Sequence, residues 1–173
     1  MIAKACELPQ GSRVESRFLH EADFADAFQA PVKQPAASTV DLFFAIFGHH
    51  PLWVKLILLA RHRIGEVFGL AAATTQELMH PTRKPSYRVG QTIGPWPIYF
   101  MGDDELIAGR ENKHLDFRLS VLKQGKGPTA SVVVTTFCCT HNRFGRAYLR
   151  LIGPFHKWGV RRLLSRAVAA GRL

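Results

Sequence analysis

His114-Leu-Asp-Phe-Arg-Leu-Ser-Val121 alternates without a fault. Leu115, Phe117, Leu119 and Val121 fall on one side of an extended chain and His114, Asp116, Arg118 and Ser120 on the other, the period of two that marks a strand. The apolar set is predicted to face a core and the polar set to face away from it. Glu105–Arg110 reads as a strand preceding it, entered through a Gly102-Asp103-Asp104 turn. Pro97–Met101 and Ser86–Ile93 read as two more, separated by Gly94-Pro95. Downstream, Gly125-Lys-Gly-Pro128 is a turn and Ala130–Thr140 is rich in β-branched residues suited to a sheet. Cys138 and Cys139 fall there, so one is expected in the core and the other nearer solvent. His141–Gly145 reads as a turn and Arg146–Ile152 as the last strand. Consecutive strands with short turns predict an antiparallel meander.

A sheet with an apolar face needs a cover. Gly153-Pro154 is expected to open a final helix over Phe155–Ala170, with Val160, Leu163, Leu164, Ala167 and Val168 as its apolar stripe and Gly171 as its stop. The fold class is therefore α+β, a sheet closed by a basic C-terminal helix. Near the other end, residues 39–68 predict a helical hairpin. Ser38 or Thr39 caps Val40–Phe47, Gly48 ends it, and Pro51 starts a second helix over Leu52–Phe68. The hairpin is unusually apolar; it is either buried or a lip that meets a membrane. Phe24 and Phe28, four apart, fit one face of a strand or of a helix, and Pro31 ends either. Residues 1–20 read as an irregular lead, and 21–173 as one domain.

The net charge of +10 is unevenly spread: residues 117–173 hold 11 Lys and Arg and no Asp or Glu. Such asymmetry suits a polyanionic partner or is the plain surface of a basic helix and sheet edge. No helix-turn-helix, zinc finger or RNP pattern appears, which speaks against nucleic acid and leaves an anionic membrane surface. The three cysteines include no CxxC, so neither a disulfide framework nor a zinc ribbon is expected. The opening MIAKACELPQGSR lacks a signal-peptide apolar core, and no apolar run, Leu56–Ala60 included, is long enough to span a bilayer. A cytoplasmic protein, peripheral at a membrane at most, is the expectation.

The blocks Ala22-Asp-Phe-Ala-Asp-Ala-Phe28, Gly94-Pro-Trp-Pro97, Asp103-Asp-Glu105, His114-Leu-Asp-Phe-Arg118, Thr140-His-Asn142, Gly145-Arg-Ala-Tyr148 and Pro154-Phe-His156 resemble the bacterial family catalogued as domain of unknown function 2867, over roughly residues 22–168. That family brings no established activity. Its members also resemble domains fused behind short-chain-dehydrogenase-like domains, which implies a dehydrogenase-like partner. The order of elements is similar to the helix-grip fold of the Bet v 1, START and polyketide-cyclase proteins, where a curved antiparallel sheet wraps a long C-terminal helix around an apolar cavity. The resemblance implies a module that binds a small apolar or amphipathic ligand.

The aromatic and polar residues available to line such a cavity are Tyr99, Phe117, Phe137, His141, Tyr148 and Trp158. Two rival readings accompany this one. A cyclase- or hydrolase-like enzyme would use His141, Tyr148 or His156 for acid–base work. A basic interaction protein would use the C-terminal half on anionic membrane or nucleic acid. His114, Asp116 and Arg118 form either a charge ladder on a solvated face or a carboxylate orienting a base. His49-His50 bound the helical hairpin. No GxGxxG after a strand, GxSxG, HExxH or phosphate loop occurs, so no cofactor or metal is expected.

Overall fold

The computed structural model describes residues 2–49 and 83–173. Among them the chain order is β1 (Lys4–Ala5), α1 (Ser16–Glu21), β2 (Phe24–Pro31), α2 (Thr39–Phe47), β3 (Thr92–Ile93), β4 (Trp96–Met101), β5 (Glu105–Arg110), β6 (Leu115–Gln124), β7 (Ser131–Thr140) and α3 (Arg143–Ala169). The strands form one open antiparallel sheet in the order β1-β2-β7-β6-β5-β4-β3. A curved sheet with a long C-terminal helix is the α+β, helix-grip-like arrangement expected from the element order. The segment 22–31, open between helix and strand, is the strand that pairs with β7 from Phe24↔Cys138 to Pro31↔Ser131.

One face of the sheet carries Phe28, Ala30, Leu106, Ala108, Leu119, Val121, Val132 and Val134. They bury against Leu42, Phe43, Ile46 and Phe47 of α2 and Val160, Leu163, Leu164 and Ala167 of α3. Ser38 caps α2 in a reciprocal box with Asp41, and Gly48 ends it as expected. The proposed second helix of that hairpin, 52–68, lies outside the described residues, as does His50.

The opposite face corrects the reading of 114–121. Its polar parity is not solvated: Asp116, Arg118 and Ser120 are buried. Val14 and Phe18 pack there on Ile107 and Phe137. The lead expected to be irregular thus contains β1 and α1, and it roofs the second face. Sequence alternation reports two faces; it does not report that a distant segment returns to cover the polar one.

Two further expectations are corrected. Arg146–Ile152 is not a strand but part of α3, which runs unbroken from Arg143 through Pro154. Asn142 is its N-cap, accepting from the Gly145 backbone N–H at 2.9 Å. Pro154 has no N–H and leaves the Arg150 carbonyl without its usual intrahelical donor. Both residues are exposed, so water can take that place. The helix is held through the proline by Leu149 and Gly153 before it and Val160 onward after it, all buried. Of Ser86–Ile93 only Thr92–Ile93 is strand. Cys138 is buried and Cys139 half-buried, the expected division.

Candidate functional site

The face beneath α3 should be uniformly apolar, and at one row it is not. Asp26 on β2 stands directly opposite Thr136 on β7, which stands opposite Leu119 on β6. Since β2 alternates, Asp26 shares its side with Phe24 and Phe28 and is forced under the helix. His156, on α3, reaches down to the same place. Its Nε2 lies 3.1 Å from Thr136 Oγ1 and 3.7 Å from Asp26 Oδ1. The first is a hydrogen bond whose direction follows the imidazole tautomer; the second is beyond hydrogen-bond reach. The imidazole also meets the Phe24 ring edge-on at 5.8 Å between centroids, and the Lys157 ammonium lies 5.3 Å from that ring's centre. The helix passes close here: a Cβ at Gly153 would meet the Phe24 ring at an ordinary contact distance of 3.5 Å.

The Asp26 side chain is 7% exposed, and neither of its oxygens has a hydrogen-bond partner among the described residues. A buried carboxyl in that state is costly and calls for an explanation. The His156 side chain is 30% exposed and so connects this group with the outside. Next to the Asp26–Thr136–Leu119 row lies Phe24–Cys138–Phe117, an apolar row whose two aromatic ends are half-buried. Acceptor oxygens, a two-faced imidazole and an apolar shelf therefore sit side by side.

The second face holds a denser polar cluster of different character. Arg118 is 1% exposed. Its guanidinium donates from Nε and Nη2 to Glu15 Oε1 at 2.9 and 2.8 Å, from Nη2 to Glu111 Oε1 at 2.6 Å and from Nη1 to the Phe117 carbonyl at 3.1 Å. It stacks 3.4 Å from the Tyr99 ring centre and 4.6 Å from that of Phe18. Asp116 is shared by Arg17 Nη1 at 3.1 Å and His141 Nε2 at 3.0 Å. Glu105 accepts from Ser12 Oγ, the Arg13 N–H and Ser120 Oγ. The bonds to Ser12, Arg13, Glu15 and Arg17 tie the lead to the sheet. Burial pushes the Tyr99 hydroxyl and the Cys139 and Cys6 thiols up from their ordinary values, against nucleophilic use. Among the described residues no group of three or more His, Cys, Asp and Glu could hold a metal ion.

A family model matches residues 18–163. The chain belongs to the family described as protein of unknown function, DUF2867. In this DUF2867 chain the matched span contains Asp26, Thr136, His156 and Arg118; Glu15 and Arg17 precede it. No curated protein and no solved structure matches the chain.

The residues expected to line one cavity are distributed over both faces of the DUF2867 sheet. Tyr99 and Phe137 lie in the cluster under the lead, whereas Phe117 packs against the core under α2 and α3. His141 is at the end of β7, paired with Asp116. Tyr148 is half-buried on α3, and Trp158 is half exposed there. His141 and His156, grouped by sequence as one acid–base set, reach carboxyls on opposite faces, so the sheet stands between them. Asp26 and Thr136 were missed. The available signal was one polar residue at the apolar parity of Phe24 and Phe28, unreadable while 22–31 was open between helix and strand.

Proposed function

We propose that this DUF2867 protein is a binding module for a small amphipathic molecule, whose hydrogen-bond-donating head is received by Asp26, Thr136 and His156. The observation that carries the reading is the buried Asp26 carboxyl without a hydrogen-bond partner among the described residues. A donor head would satisfy it, and the Phe24–Cys138–Phe117 row supports an apolar tail beside it. Decylamine, decanol and decanoate share a tail and differ in the head. Amine and alcohol are expected to raise the melting temperature and decanoate, which presents further acceptors to Asp26, to leave it unchanged. Native mass spectrometry of the purified protein, followed by organic extraction, reports any natural occupant. No shift with any of the three probes, together with a clean apo mass, overturns the reading.

A second reading, an acid–base enzyme of cyclase or hydrolase type, draws support from the pairing of the half-exposed His156 with a carboxyl behind it. Turnover of p-nitrophenyl butyrate that is lost in His156→Ala and kept in His141→Ala would favour it over simple binding. Turnover that is absent, or indifferent to His156, removes it.

A further inference from the structure

A surface helix normally turns polar residues outward. On α3 the residues furthest from the sheet are apolar: Leu151 is 73% exposed, Phe155 67% and Trp158 50%. At 3.6 residues per turn these three lie within about 60° of one another, opposite the buried Leu149, Gly153 and Val160. Phe144, less exposed and stacked on His114 at 4.6 Å, continues the same line toward the N-terminus. Arg143, Arg150, Pro154 and Arg161 run along one flank, with Arg146 and Lys157 further round; Arg162 falls in line with the stripe itself. The helix carries seven Lys and Arg and no Asp or Glu.

A contiguous apolar patch on a surface marks something that covers it. An acid-free cationic border selects the sign of that cover. Leu, Phe and Trp beside Arg and Lys are the residues that insert shallowly into the headgroup boundary while the cations meet anionic headgroups. We propose that the outward stripe Leu151–Phe155–Trp158 of α3, with its arginine flank, is a docking face for an anionic membrane surface. It is a separate site from Asp26, on the other side of the same helix. A protein so placed would take an amphipathic ligand at the surface where such molecules partition.

The test is flotation of the full chain with vesicles of phosphatidylcholine alone and of phosphatidylcholine with about 30 mol% phosphatidylglycerol, at low salt. Binding is expected to the anionic vesicles and not to the neutral ones, and to weaken as NaCl rises from about 0.05 to about 0.5 M. Leu151→Ser/Phe155→Ser should cut the partition coefficient by about tenfold or more. Arg150→Glu/Arg162→Glu should do the same through charge, and Asp26→Leu should leave it unchanged. The four helix positions are exposed, and circular dichroism verifies that each variant is folded. Equal binding to neutral vesicles, no binding to either, or binding indifferent to both double substitutions overturns the proposal. So does a free protein that sediments as a dimer and becomes monomeric in Leu151→Ser/Phe155→Ser, since the stripe would then be a contact between two copies.

Discussion

The guanidinium of Arg118 lies 3.4 Å above the centre of the Tyr99 ring and 4.6 Å from that of Phe18. Two aromatic faces and the hydrogen bonds donated to Glu15, Glu111 and the Phe117 carbonyl hold one buried cation between the sheet and the N-terminal lead. Glu15 and Glu111 are about half exposed, so both regain water if the cation is lost, whereas the space between the rings does not refill. Arg118→Met is therefore expected to cost about 2–4 kcal/mol, dominated by lost packing and stacking rather than by stranded charge. Arg118→Lys keeps the charge but not the fork or the plane, and should recover less than half of the loss. Urea midpoints of the three proteins measure this; a near-neutral Arg118→Met would show that the lead is not held there.

Two glycines of α3 predict opposite signs for one substitution. A Cβ on Gly145 would run into the carbonyl oxygen of His114, a backbone atom that also accepts from the His141 N–H. A Cβ on Gly159 meets nothing within 4 Å. Gly159→Ala should stabilise by about 0.5–1 kcal/mol, the ordinary helix preference, while Gly145→Ala destabilises because the clash exceeds that gain. Thermal melts of both variants decide it.

Asp23 fastens the end of β7, accepting from both Oγ1 and N–H of Thr140 at 2.6 Å. The Thr140 hydroxyl bond, helped by its N–H, holds the carboxyl below its ordinary 3.8 despite partial desolvation. A carboxyl lowered in the folded state stabilises above its unfolded value and loses that contribution as pH falls through the folded one. The stability difference between wild type and Asp23→Asn should thus be constant from about pH 7 to about pH 5 and close below about pH 4. A gap unchanged at low pH would mean that the bond does not depend on the ionised carboxyl.

Much of the fold was legible in local pattern. The turn before Glu105–Arg110, the alternation at 114–121 and the β-branched run to Thr140 are each local signals, and a strand's neighbours follow from short turns. The failures are all non-local. Gly153-Pro154 looks like a helix start because proline inside a helix costs about 3 kcal/mol. Here the buried Leu149 and the apolar run from Val160 outweigh that cost, and the helix begins eleven residues earlier at its Asn142 cap. Arg118 looks solvated because nothing within ten residues of it announces Glu15 or Phe18. Asp26 is the converse: a polar residue in an apolar lane is visible only when the lane is known.

That residue also separates stability from function. Asp26 occupies a buried position with oxygens that accept no hydrogen bond from a described residue, so Asp26→Leu should stabilise the free protein by about 1–2 kcal/mol. A site kept at the expense of stability is what a binding role requires. The most direct measurement is the thermal shift of wild type and Asp26→Leu with and without decylamine. The expectation is a variant that melts higher than wild type alone and no longer responds to the amine. A variant that melts lower, or one that keeps the full ligand shift, would contradict it.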